Sequence, residues 1–167
     1  MTLNELNALP RDAAERALSR CCGSARWTAA MANQRPFRDG MQLFQAADEA
    51  WWSLSGDDWL EAFSHHPRIG ARAAGWASDE QSGARGASRK IRGELAKWNR
   101  EYERLFGHVF LICATGKPAE DMLAQMERRM NNEPAAELRV AAGEQAKITR
   151  LRLEKLLSPS TEPSRVA

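Results

Sequence analysis

Cysteine is scarce in this 167-residue chain, with three residues, two of them adjacent at Cys21 and Cys22. An odd number so placed makes a poor disulfide framework and fits a reducing compartment, so the cytoplasm is the expected location. Long apolar runs are missing too. No stretch approaches the roughly 20 residues needed to cross a bilayer, and Met1 to Pro10 has neither the basic nor the apolar region of a secretory leader. Net charge is nearly absent: 24 Lys and Arg against 22 Asp and Glu leave +2. The chain therefore has no strong electrostatic reason to seek polyanions or a membrane surface, and a small-molecule partner is expected rather than nucleic acid or lipid. Metal-ligand spacings are absent as well: His65, His66 and His108 form no HxxxH or HxH, and no CxxC is present. No metal site is expected.

What is present is helical periodicity. Leu43/Phe44, Ala47, Ala50/Trp51 and Leu54 form one apolar stripe, and Ile91, Leu95, Trp98, Tyr102 and Leu105/Phe106 a second. A third runs through Ala119, Met122/Leu123, Met126 and Met130, and a fourth through Leu138, Ala141, Ile148 and Leu156 after the start signal Asn132-Glu133-Pro134. Steps of three and four residues place each set on one helix face. Shorter helices are expected near 11–21, 25–33 and 57–63. Only Val109 to Cys113 reads as a strand, and it suits a buried helix end equally well. The expected fold is all-α, a single-domain compact helical bundle over residues 1–157. Residues 158–167, rich in proline and serine, are expected to be a disordered tail, and they do not end in a Ser-Lys-Leu peroxisomal address.

One region breaks the pattern. From His66 to about Gly86 the chain carries Pro67, Gly70, Gly75, Gly83 and Gly86 with no sustained stripe, which reads as a long loop of the kind that is usually functional or disordered. Pro67 restricts His66 to extended backbone and so fixes the direction of its side chain, which suits a proton donor; a histidine at a helix end can equally cap the last carbonyls. Ser78-Asp79-Glu80-Gln81-Ser82-Gly83 gathers groups able to meet a polar ligand, or simply opens a helix. The run Ile112-Cys113-Ala114-Thr115-Gly116-Lys117-Pro118 leads from an apolar segment into a helix start, where free amides can hold an anion. Cys113 reads as a small core residue rather than a nucleophile. Arg152 falls four residues after Ile148 and four before Leu156, within the apolar stripe, and so needs a specific partner: a structural carboxylate such as Glu49 or Glu61, or an anionic substrate. The basic stretch from Arg85 to Arg104 is interleaved with Glu94, Glu101 and Glu103 at helical spacing and reads as a solvated, salt-bridged face.

Taken in order, six segments resemble the 2-oxo-4-hydroxy-4-carboxy-5-ureidoimidazoline (OHCU) decarboxylases, which form (S)-allantoin in urate oxidation. They are Arg35-Pro36-Phe37, His66-Pro67-Arg68-Ile69-Gly70, Glu80-Gln81-Ser82-Gly83, Asn99-Arg100-Glu101-Tyr102 with Phe106-Gly107, Phe110-Leu111-Ile112-Cys113 to Gly116-Lys117, and Glu144-Gln145 through Ile148 to Arg152-Leu153. The resemblance covers Asn7 to Leu157, and Arg68-Ile69-Gly70 looks like the bacterial form of its motif. It implies an all-α fold, no cofactor, and His66 in proton transfer, with Glu80 orienting it or holding a substrate N–H. It further implies a substrate pocket lined by Pro67, by Ala77, Ser78, Asp79 and Gln81, by the backbone of Ile112, Cys113, Ala114, Thr115 and Gly116, and by Arg152. Arg68 stays outside that site, and a homodimer is expected. Two other readings remain: hydrolysis of a neighbouring intermediate such as 5-hydroxyisourate, and a non-catalytic helical purine-binding module.

Overall fold

A computed structural model describes residues 1–158 except Ala73, together with the backbone but not the side chain of Arg85. The expected tail therefore lies, Ser158 apart, outside the described residues. Among the described residues every regular element is a helix, and none is long and apolar enough to cross a membrane. The all-α expectation holds. The chain forms two compact units, one of residues 1–54 with the chain from 149 onward, the other of Ser55–Ile148.

In the first unit, α1 (Leu3–Ala8) opens with a capping box: the Glu5 N–H donates to Thr2 Oγ1 and the Thr2 N–H to Glu5 Oε2, at 3.1 and 2.7 Å. The helix escaped the periodicity reading because six residues are too few to repeat a stripe. It is followed by α2 (Arg11–Ser19), α3 (Ala25–Asn33) and α4 (Gly40–Trp52). Leu18, Trp27, Met31, Leu43 and Trp51 fill the core, and the Trp27 indole N–H is satisfied by the Ala47 carbonyl at 3.0 Å. Leu54 lies beyond the end of α4. The Arg35-Pro36-Phe37 motif serves this unit's architecture. The Arg35 guanidinium donates to the carbonyls of Leu6, Leu9 and Ala32 at 2.7, 2.8 and 3.1 Å, using groups that helix ends leave orphaned. The Asn7 side chain brackets Phe37, accepting from its N–H at 2.9 Å and donating to its carbonyl at 2.8 Å.

In the second unit, α5 (Gly56–Ser64) begins at a Ser55/Asp58 capping box. Short helices α6 (Trp76–Glu80) and α7 (Ser82–Arg85) follow, then α8 (Arg89–Phe106), α9 (Ala119–Arg129) and α10 (Pro134–Leu157), of which the residues from Thr149 onward belong to the first unit. The expected 66–86 loop thus contains two helices, each too short to show a period. α8 stops where Gly107 turns into the left-handed region at φ 77°, which glycine enters without Cβ strain. Along it Leu95 and Tyr102 are buried, whereas Leu105 faces solvent at 46% exposure. Val109 to Ala114 is neither strand nor helix, yet Phe110, Ile112 and Ala114 join Leu95, Tyr102 and Met122 in one core.

Candidate active site

α5 ends at Ser64, and the N–H groups of His65 and His66 continue onto the carbonyls of Ala62 and Phe63 at 3.2 and 3.0 Å. The helix end is closed by main chain. His65 is exposed and His66 half-buried. Pro67 has no N–H to extend the helix, and the four residues after His66 are held from two elements. From the junction of α6 and α7, Gln81 Oε1 accepts the Gly70 N–H at 3.0 Å, and its Nε2 reaches the Pro67 carbonyl at 3.5 Å. From α8, Asn99 Nδ2 donates to the Ile69 carbonyl at 2.9 Å, and Glu103, one turn on, takes two N–H groups of Arg68 at 2.5 and 2.8 Å. Gly70 sits at φ 80°, where a side chain would be strained. Three of the six motifs therefore form one construction around the segment that follows His66.

Glu80 and Gln81 are buried, at 7% and 8% exposure, whereas Asp79 faces solvent and Ala77 and Ser78 are half-buried. The residues expected to line a pocket as one loop are thus split by a helical turn, with Asp79 pointing away from its two neighbours. Ser78 and Gln81 border a cavity of 340 Å³ with Gly70, Arg72, Ala84 and Arg92. Because Gln81 already serves the Pro67–Gly70 backbone, only its second N–H and second lone pair remain for a ligand. α7 then brings Gly83 so close to the next segment that a Cβ on it would lie 2.0 Å from the Lys117 carbonyl oxygen.

That segment, Leu111 to Lys117, is irregular and largely buried, so its peptide groups need partners. Side chains supply several. Arg129 Nη1 donates to the Leu111 carbonyl at 2.7 Å, Glu144 Oε2 accepts the Cys113 N–H at 2.7 Å, and Lys117 Nζ donates to the Cys113 carbonyl at 2.8 Å. Arg129, 8% exposed, is itself held by Glu137, which is fully buried and also takes the Tyr102 hydroxyl and, at 2.7 Å, the Asn132 amide. The guanidinium lies over the Phe110 ring, 4.4 Å from its centroid. Burial raises the Glu144 carboxyl, but the Lys147 hydrogen bond, the Cys113 amide and the charges of Lys147 and Arg129 outweigh it, so the group stays ionised well below neutrality. Burial likewise pushes the Cys113 thiol up, which fits the expected core residue rather than a nucleophile. The Thr115 backbone amide pulls against that shift. Gly116 makes its turn at φ 75°, closed by the Lys117 N–H on the Ala114 carbonyl at 3.0 Å.

Arg152 lies on the part of α10 that belongs to the first unit. It is half-buried on a helix whose Thr149, Leu153 and Leu156 are buried. Burial pushes the nearby Cys21 thiol up to about 12, and the Arg152 charge pulls against that shift. Glu49, one carboxylate expected as its partner, accepts from Gln45 Nε2 at 2.8 Å.

Sequence reasoning gave no role to Asn99, Lys117, Arg129, Glu137 or Glu144. A signal existed for Arg129: it falls seven residues after Met122 and three after Met126, so the third apolar stripe carries a cation that must be paired. Among the described residues no three His, Cys, Asp or Glu side chains gather as metal ligands.

Residues 7–154 match the family described as OHCU decarboxylase. The uric acid degradation bifunctional protein TTL of Arabidopsis thaliana is 37% identical over 149 residues, 83% of this chain and 45% of the relative. This chain thus spans less than half the length of that plant protein. A 2-oxo-4-hydroxy-4-carboxy-5-ureidoimidazoline decarboxylase of Haloferax volcanii is 27% identical over 95% of this chain and 97% of its own. In three dimensions, a crystal structure of OHCU decarboxylase in the presence of (S)-allantoin superposes with a TM-score of 0.78 at 37% identity, covering 84% of this chain and 96% of that one. With most of its length matched in sequence and in fold, this chain belongs to the OHCU decarboxylase family.

Proposed function

We propose that this chain converts 2-oxo-4-hydroxy-4-carboxy-5-ureidoimidazoline to (S)-allantoin and CO2 in urate degradation. The bond between the ring carbon and its carboxylate breaks, CO2 leaves, and the electron pair left behind delocalises into the neighbouring ring C=N. A proton then returns to carbon on one face. The substrate carries its own electron sink, so no cofactor is assigned. The protein's tasks are orientation, stabilisation of the electron-rich intermediate and delivery of one proton.

The observation that carries this reading is the Gln81 clasp on Pro67 and Gly70. It fixes the chain that follows His66 against the helix end where Glu80 is buried, as a proton-transfer group and its supporting carboxylate require. His66 is assigned the proton, and Glu80 orients it or holds a substrate N–H. Ser78, the remaining valences of Gln81, and main-chain groups between Ile112 and Gly116 hold polar edges of the substrate. Arg152 is assigned a carboxylate or ring oxygen of the substrate on its family motif. The enzyme is assigned to the cytoplasm as a homodimer.

The test follows circular dichroism while OHCU is generated in place from urate. Accelerated appearance of optically active allantoin supports the decarboxylase. Acceleration confined to loss of 5-hydroxyisourate supports a hydrolase instead, and unchanged kinetics at stoichiometric protein support a binding module.

A further inference from the structure

The peptide units on either side of Ile112 are each gripped at one end by a buried or half-buried charge. In a trans peptide the C=O and the N–H point in opposite directions, and the sole cis bond among the described residues is Arg35-Pro36. Arg129 holds the Leu111 carbonyl, so the N–H at the far end of that unit, belonging to Ile112, points away from the guanidinium. Glu144 holds the Cys113 N–H, so the carbonyl at the far end of that unit, again belonging to Ile112, points away from the carboxylate. Ile112 therefore directs its donor and its acceptor each away from the charge that grips its peptide unit. Among the described residues neither group has a hydrogen bond, although the residue is 3% exposed and buried peptide groups are seldom left unmatched.

The charges also alter what these groups can do. A cation on a carbonyl draws electron density along the peptide and strengthens the opposite N–H as a donor. An anion on an N–H pushes density the other way and strengthens the opposite C=O as an acceptor. Both effects follow from the mutual polarisation of linked hydrogen bonds at low dielectric. Arg129 and Glu144 thus act on Ile112 with opposite sign, each in the sense that improves the group facing away from it.

We propose that Arg129 and Glu144 are positioning residues that present the Ile112 N–H and C=O as a polarised donor–acceptor pair for a ureide or imide edge, –C(=O)–N(H)–, of the ligand. Glu137 belongs to the same device, because with the Tyr102 and Asn132 side chains it keeps the Arg129 guanidinium on the Leu111 carbonyl. Lys147 holds Glu144 from the solvent side at 2.6 Å. The inference deepens the proposed decarboxylase: the hydantoin ring of (S)-allantoin carries such an edge, and so does the ring of its precursor.

The experiment is an NMR titration of isotope-labelled protein with (S)-allantoin, following the Ile112 amide proton and carbonyl carbon, alongside turnover of OHCU. Saturation should move both nuclei downfield in the wild type. Glu144→Gln keeps an acceptor for the Cys113 N–H but removes the charge; it should weaken allantoin binding about tenfold and diminish the carbonyl shift while the amide-proton shift persists. A purely structural Glu144 would not separate the two nuclei. Allantoin that binds without moving Ile112, or a Glu144→Gln protein that binds and shifts like wild type, overturns the proposal, and the wild-type titration decides it even where the variant does not fold. Turnover with an unmoved Ile112 sinks this inference alone. A moving Ile112 without turnover sinks the decarboxylase alone. Absence of allantoin binding sinks both.

Discussion

Gly83 and Lys117 touch backbone to backbone: a methyl group on Gly83 would stand 2.0 Å from the Lys117 carbonyl oxygen and 3.4 Å from the Pro118 Cα. This contact joins the Glu80–Gly83 motif to the Gly116-Lys117 motif, and both of its partners are main chain that cannot swing aside.

Gly83→Ala should therefore force the two segments apart. Such overpacking costs about 1–3 kcal/mol, so a thermal melt should fall by several degrees. Allantoin formation should fall more than stability alone explains, because the segment carrying Ile112 and Gly116 moves with Lys117. A variant with unchanged melt and unchanged rate would show that the contact places nothing.

Gln81→Leu should release Pro67 and Gly70 while keeping the volume of the side chain. The Gly70 N–H loses its acceptor, and the segment after His66 loses its tie to the Glu80 helix end. Steady-state kinetics should show kcat lowered about 10- to 100-fold, since small misplacements of a catalytic group carry penalties of that order, with a melting point within a few degrees of wild type. Loss expressed in KM alone would point to a binding role for the amide instead.

Arg68→Ala supplies the contrast. Its bidentate contact with Glu103 is well formed, but the Arg68 side chain is 58% exposed, and solvent-screened pairs of this kind add little to stability. Turnover and the urea midpoint should both stay close to wild type. A large loss of activity would bring Arg68 into the site from which its exposure excludes it.

His108 gives a pH prediction. Burial holds its imidazole below the usual 6.5, the Val109 carbonyl and the Glu137 charge pull it back up, and the Arg129 charge lowers it further. Phe63, Tyr102 and Phe106 rings surround it. Because the folded-state value is the lower one, the unfolded chain binds more protons below 6.5, and stability falls as pH drops from there until the folded group itself titrates. Urea midpoints at about pH 7.5 and about pH 5 should differ less in His108→Phe than in wild type. An equal acid loss in both would place the sensitivity elsewhere.

Much of this architecture could be read before any coordinates. The stripes of Leu95 and Tyr102, of Met122 and Met126, and of Ala141 and Ile148 repeat often enough to declare their helices, and Cys113 declared itself a core residue by its apolar neighbours. The α6 and α7 helices were hidden because five and four residues cannot show a period. The clasp of Gln81 on Pro67 and Gly70, and the grip of Arg129 and Glu144 on Leu111 and Cys113, were hidden for another reason. They join residues 11, 14, 18 and 31 positions apart through side chains that bind backbone, and backbone accepts any partner without leaving a mark in its own sequence. Asp79 and Glu80 show that adjacency does not set burial, since the first is exposed and the second buried within one helical turn.

The central claim rests on His66 as the group that moves the proton. The most direct measurement is the rate of optically active allantoin formation by His66→Asn, which keeps a polar side chain of similar reach. The account predicts a loss of about 100-fold or more, the usual worth of a positioned acid or base, with the helical circular dichroism spectrum and allantoin affinity retained. Formation of (S)-allantoin at the wild-type rate by that variant would contradict it.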